Sequence, residues 1–227
     1  MTPRLGLRLL ALALPALLLA PGAAHARTLT VADSTSDAKA LDMALLLGEF
    51  IDGTPAEGPY FLDAPDETSV DVVSTTIDHA AKRLTLTVQL RGLVELKGLS
   101  ADFRIFTPDS RWDLSATYAE DGAQWVLFPG RDGDTIYSSE GSVTAASSFR
   151  KCRVRVRYDA PGDTVIASVP TACLGKPQWV QVSAGVMRTR VAPVGDGSAN
   201  VAAFADDAFR GGLSLESQGR SPKVRRG

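Results

Sequence analysis

The feature that most constrains this chain is a strict two-residue alternation. Across residues 82–92, Leu84, Leu86, Val88 and Leu90 alternate with Thr85, Thr87 and Gln89. Successive side chains of an extended strand point to opposite faces. The stretch can therefore collect its apolar residues on one side only as a half-buried β-strand. Residues 69–79 supply an antiparallel partner, and residues 78–81 turn the chain between the two.

The same pattern recurs downstream. Residues 99–106 and 111–119 form a second hairpin around Thr107, Pro108, Asp109 and Ser110, with Trp112, Leu114, Ala116 and Tyr118 on one face. Residues 123–128 are apolar on both sides, which predicts a central strand, and residues 130–134 turn. Cys152, Val154, Val156 and Tyr158 then share one face, while Lys151, Arg153, Arg155 and Arg157 share the other. Ala160, Pro161, Gly162 and Asp163 turn the chain into a strand over 164–169, and 178–189 reads as the last strong strand. Residues 28–32 give a short first strand, and 52–68, rich in Gly, Pro, Asp and Glu, a long loop. Residues 38–51 stay open between a strand and a short helix around 38–50: Ala38, Leu41, Ala44, Leu45 and Leu47 form a helical stripe, yet 45–51 can also pair. Many short strands separated by turns predict a mostly β fold, an antiparallel β-sandwich or an open barrel.

The first 26 residues read as a secretion signal. Arg4 and Arg8 precede an apolar run over 9–20, Pro21 and Gly22 break it, and Ala24, His25 and Ala26 give the small–x–small pattern of a signal-peptidase site. That run is short for a membrane span, which needs about 20 apolar residues. The expected product is a secreted protein starting at Arg27, with no membrane span in the mature chain. The expected division is a signal peptide at 1–26, a sandwich domain at 27–210 and a flexible basic tail at 211–227. Removing the signal takes away two of 24 basic residues and none of 26 acidic ones, leaving a net charge of −4. A general nucleic-acid binder is not expected from that balance.

Cys152 and Cys173 are the two cysteines of the chain, and in an exported protein an even count predicts a disulfide. If the turn centres near Pro161, Cys152 lies opposite about residue 170, within a few residues of Cys173.

Residues 169–182 carry a Pro170, Cys173-Leu174-Gly175, Pro177, Trp179-Val180 pattern. It resembles a signature of uncharacterised exported β-sandwich proteins of high-GC bacteria. The hairpin over 71–93 and the closing Ser221, Pro222, Lys223 and Val224 are similar to segments of that group, whereas the irregular insert at 43–66 departs from it. At fold level the resemblance extends to DOMON and carbohydrate-binding sandwiches. It implies a sandwich and no particular activity.

No catalytic motif emerges. There is no Gly-x-Ser-x-Gly elbow. Once the signal is removed, His79 is the single histidine, and its place in a hairpin turn predicts a solvated side chain. A paired-carboxylate hydrolase can be drawn from so many acidic residues without any one pair standing out. Three binding features remain. Lys151, Arg153, Arg155 and Arg157 put four cations on one strand face, about 6.5–7 Å apart, fit either for an anionic polymer or for a solvated, charge-guarded strand edge. Trp179, alternating with Gln181 and Ser183, suits either a sugar ring or edge packing. Asp33, Asp37 and Asp42, with Asp63, Asp66, Glu67 and Asp71 further on, offer the loop oxygens calcium prefers, though carboxylates are also ordinary turn formers. The expectation is thus a non-enzymatic binding or structural module, with cell-surface polysaccharide or anionic wall polymer as partner and calcium as the sole cofactor considered. A secreted hydrolase with an unrecognised carboxylate site is the alternative.

Overall fold

A computed structural model of the protein describes residues 27–43, 45, 59–120, 122–129, 137–138, 152–194, 198–214 and 217–227. Two antiparallel sheets face each other without closing into a barrel. The first has the order β1 (Arg27–Ala32), β4 (Val72–His79), β5 (Arg83–Leu90), β11 (Thr164–Pro170), β10 (Arg155–Asp159). The second runs β3 (Phe61–Asp63), β2 (Lys39–Leu41), β13 (Ser198–Asp207), β12 (Trp179–Val194), β6 (Leu99–Phe106), β7 (Arg111–Ala119), β8 (Gly122–Pro129), β9 (Tyr137–Ser138). A short β14 (Val224–Arg225) pairs with the start of β12.

The alternation read from the sequence is the reason for this arrangement. Leu84, Leu86, Val88 and Leu90 of β5 are fully buried, as are Val165, Ala167 and Val169 of β11. They meet Leu99, Ala101, Phe103 and Ile105 of β6 and Val180, Val182, Ala184 and Val186 of β12 in one core. Tyr158 on β10 donates its hydroxyl to the Ala116 carbonyl (2.8 Å), linking the open edge of the first sheet to β7.

Several expectations need correction. The strand over 178–189 is not the last, because β13 pairs with it over ten residues. β8 is flanked by β7 and the two-residue β9 and is mostly half-buried, with Phe128 exposed, so it is not a central strand. Residues 39–41 form a strand and residue 43 opens a helical turn, for which the Asp42 carboxylate accepts the Leu45 N–H (3.0 Å). The helical stripe therefore gives way to a strand at 39–41 and keeps only a turn beginning at 43, while the alternative strand over 45–51 is not tested, because residues 44 and 46–51 lie outside the described ones. His79 is not solvated: it is wholly buried, with Nδ1 hydrogen-bonded to the Val224 carbonyl (3.1 Å). The end of the chain is not a free tail. Ser221 donates its N–H to the Val182 carbonyl (2.8 Å), its Oγ accepts the Val182 N–H (3.0 Å), and the Gly227 N–H reaches the His79 carbonyl (3.0 Å). Residues 221–227 therefore cover backbone groups of β12 that β13 leaves unpaired, which composition alone did not reveal.

Candidate functional site

Three arrangements carry chemistry. The first is the outer face of the five-stranded sheet. Register places Thr30, Thr76, Thr87, Ile166 and Arg157 in one row across the strands, and Thr28, Asp78, Thr85, Ser168 and Arg155 in the next. The face is hydroxyl-lined and ends, on β10, in arginines. Arg153, Arg155 and Arg157 are all exposed, as the alternation predicts; Lys151 lies outside the described residues. Arg157 pairs with Asp159 at 3.0 Å. Among the described residues, Arg153 and Arg155 have no carboxylate at ion-pair distance. Arg83, which sequence reading passed over, joins them. Its Nε donates to Ser168 Oγ (2.6 Å) and its guanidinium also reaches the Arg153 carbonyl (3.2 Å). Burial and the neighbouring Arg155 lower the Arg83 pKa.

The second arrangement is acidic, at the far end of β1. One oxygen each from Asp37, Asp71 and Asp206 lies within 4.8 Å of the others. Asp71 and Asp206 are 0% and 1% exposed. Local structure fixes each carboxylate. Ser36, with φ 67°, turns its N–H onto Asp71 (2.9 Å). Asp206 accepts the N–H groups of Val72 and Asp207 (both 2.8 Å). Both Asp37 oxygens and Asp33 Oδ2 are shielded and have no donor in good hydrogen-bond geometry, although the Asp37 and Gly212 backbone N–H groups lie near enough to Asp37 to work against the upward shift of its pKa. Arg91 pairs with Asp71. Burial, reinforced by the surrounding carboxylates, pushes Asp33 and Asp206 up to about 7 and raises Asp37 as well.

Of the residues expected to hold calcium, Asp37 and Asp71 are in this cluster, whereas Asp33 stands outside it, near enough to feel the Asp206 and Asp37 charges. Asp42 is also outside it, since it begins the helical turn. Asp63 pairs with Lys39 (2.5 Å), Glu67 with the buried Arg188 (3.3 Å) and with Arg190 (2.7 Å), and Asp66 is exposed. Asp206 was missed because β13 was missed. Its signal is an apolar strand, Val201 to Ala205 in alternate steps, ending in two adjacent aspartates.

The third arrangement surrounds Trp179. The indole is half-buried, and the Lys223 ammonium lies 4.0 Å from its ring centroid. Ser183, expected on the same open face, is buried instead, close to where Ser221 bonds to Val182. Beside Trp179 runs a groove of about 570 Å³.

Cys152 and Cys173 form the disulfide, with Cα atoms 5.9 Å apart. The β10–β11 register, extended by three residues, puts Cys152 opposite Thr171, one position from the expected partner. No family model, curated protein or solved structure matches the chain.

Proposed function

We propose that the protein is an exported, non-enzymatic binding module that takes an anionic cell-surface polysaccharide or wall polymer on the outer face of its five-stranded sheet. The observation that carries this reading is the pair Arg153, just before β10, and Arg155, which opens it, both exposed and without carboxylate partners among the described residues. A charge-guarded edge needs no hydroxyl-lined surface beside it; a polyhydroxylated polyanion uses both. Arg83, held by Ser168, adds a fixed cation at the boundary.

The carboxylate cluster favours this reading over a hydrolase. General acid–base pairs in glycosidases stand about 5–9.5 Å apart and flank a bond in a cleft. Here Asp71 and Asp206 are closed off from solvent, and the neighbouring cavity, lined by Asp102, Asp206 and Asp207, is about 150 Å³, below the roughly 300–1,000 Å³ usual for small-molecule sites.

A second reading concerns this cluster: it holds a calcium ion. The Asp37 oxygens, shielded and without a donor in good hydrogen-bond geometry, favour it. Calcium binds oxygens at about 2.3–2.6 Å, so ligands round one ion lie within about 5 Å of one another. Asp37, Asp71 and Asp206 meet that limit. Three carboxylates against the Arg91 guanidinium leave two negative charges, matching a divalent cation.

Binding of purified wall polymer to the protein tests the main reading. Charge reversal at Arg153 and Arg155 is expected to weaken it at least tenfold. Affinity should also fall steeply from 0.1 M to 1 M salt, as the Debye length shrinks from about 10 Å to about 3 Å. Unchanged binding in the reversed variant overturns the reading.

A further inference from the structure

The groove beside Trp179 runs along the start of the edge strand β1, from Arg27 to Leu29. Arg27, Lys223 and Arg225 line it, together with Trp179, Pro222 and Leu29. Arg27, Lys223 and Arg225 are exposed, and among the described residues none is within ion-pair distance of a carboxylate. The three come from the two ends of the described chain. Arg27 opens β1, and β14 with the residue before it supplies the others. What joins them is the docking of residues 221–227 over His79, the residue that Arg27 faces in the β1–β4 register.

From this juxtaposition we infer a second binding site: the groove takes a sugar residue that bears a carboxylate or phosphate group. Three like charges round one groove repel each other and gain from a shared anion. The Lys223 ammonium is already held against the indole, a geometry in which the ring quadrupole favours the cation. An anion drawn to that ammonium sits beside the indole edge, the Pro222 ring and the Leu29 side chain. These give apolar surface to the face of a pyranose, while the cations hold its acidic substituent. A free inorganic anion uses only half of these groups. The volume of about 570 Å³ lies inside the range of roughly 300–1,000 Å³ for small-molecule sites and leaves room for more than one sugar ring. The groove is built from the docked chain end, so the contact that buries His79 also forms the site.

The inference does not rest on the Arg153 and Arg155 row, and the two are separable by experiment. Titration calorimetry of the purified protein with a hexamer of galacturonic acid is one arm; a short polyol-phosphate chain carrying sugars is a second; a neutral hexasaccharide of the same length is the control. Binding is expected in at least one acidic arm and at least tenfold weaker for the neutral hexamer. Lys223→Gln with Arg225→Gln should reduce acidic binding at least tenfold, while Lys97→Gln, at an exposed lysine that belongs to neither site, leaves it within twofold. Indole fluorescence should respond to the ligand, and the response should vanish in Trp179→Phe. Near-equal binding of neutral and acidic hexamers, no binding in either acidic arm, or full binding by a folded Lys223→Gln, Arg225→Gln variant overturns the inference. Loss confined to Arg155→Gln would instead place all binding on the outer face.

Discussion

His79 shows how little a residue's neighbours in sequence say about its role. It closes β4 as the pattern requires, but its ring points inward and is wholly buried. Nδ1 is satisfied by Val224, and Nε2 is buried with no partner. Burial, with a contribution from the Arg226 charge, lowers its pKa. A depressed folded pKa means that stability is complete above the unfolded value of about 6.5 and is lost as pH falls through the folded value. Acid should therefore loosen residues 221–227 before the core. Protection from hydrogen exchange at Ser221 and Arg226, taken relative to the intrinsic amide rate at each pH, is expected to fall from pH 7.5 to pH 5, and His79→Gln should flatten that dependence. Equal loss of protection in both proteins would remove His79 as the cause. The opposite kind of local necessity appears at Gly98. Its φ is 75°, and a Cβ there would sit 2.1 Å from the Thr189 carbonyl oxygen, so no other residue fits without moving β12.

At the scale of elements, legibility followed the strength of the local pattern. β5, β6, β7 and β11 were readable because each alternates cleanly and ends in a turn with Pro, Gly, Asp or Ser. β13 was not, because its inward residues are mainly Ala203 and Ala205, whose small side chains carry little hydrophobic signal. The docked end escaped notice for a different reason. Arg220, Lys223, Arg225 and Arg226 look like a solvated tail, and only the unpaired edge of β12, a non-local fact, gives the backbone there a partner. With β13 went Asp206, and with the docked end went the groove. The disulfide was legible because one turn fixes the register on both sides. It joins the segment before β10 to the 3-10 turn after β11, across 21 residues. Replacing both cysteines by serine is expected to cost about 3 kcal/mol in the chain-entropy account. Urea denaturation with and without the bridge measures it, and a difference under about 1 kcal/mol would mean that the β10–β11 pairing constrains the unfolded chain little less than the bridge does.

For the whole molecule, the notable property is the separation of charge. Arg27, Lys82, Lys176, Lys223 and Arg225 gather where β1 begins, β5 begins and β12 begins, whereas Asp33, Asp37, Asp71, Asp206 and Asp207 gather where β1 ends, β4 begins and β13 ends. The basic pole is exposed and open to partners; the acidic pole is turned inward, where like charges cost most. Burial and mutual repulsion raise Asp33 and Asp206 to about 7. With folded pKa values above the unfolded ones, the cation-free protein keeps their contribution in full below about pH 4, the unfolded carboxylate range, and loses it as pH rises through about 7. A calcium ion reverses that trend, because it binds the ionised carboxylates and competes with protons. The melting temperature in a chelator should accordingly fall between pH 5 and pH 8. Millimolar calcium should restore it, with a larger increment at pH 8 than at pH 5. A ligand at about 100 times its Kd adds about 2.7 kcal/mol, enough to move the midpoint by several degrees. Asp37→Asn should abolish the calcium increment while raising stability in the chelator, since it removes a repelling charge whose oxygens have no donor in good hydrogen-bond geometry. Calcium that leaves the wild-type midpoint unchanged at pH 8, with the chelator curve falling as described, would mean that protons alone hold this pole together.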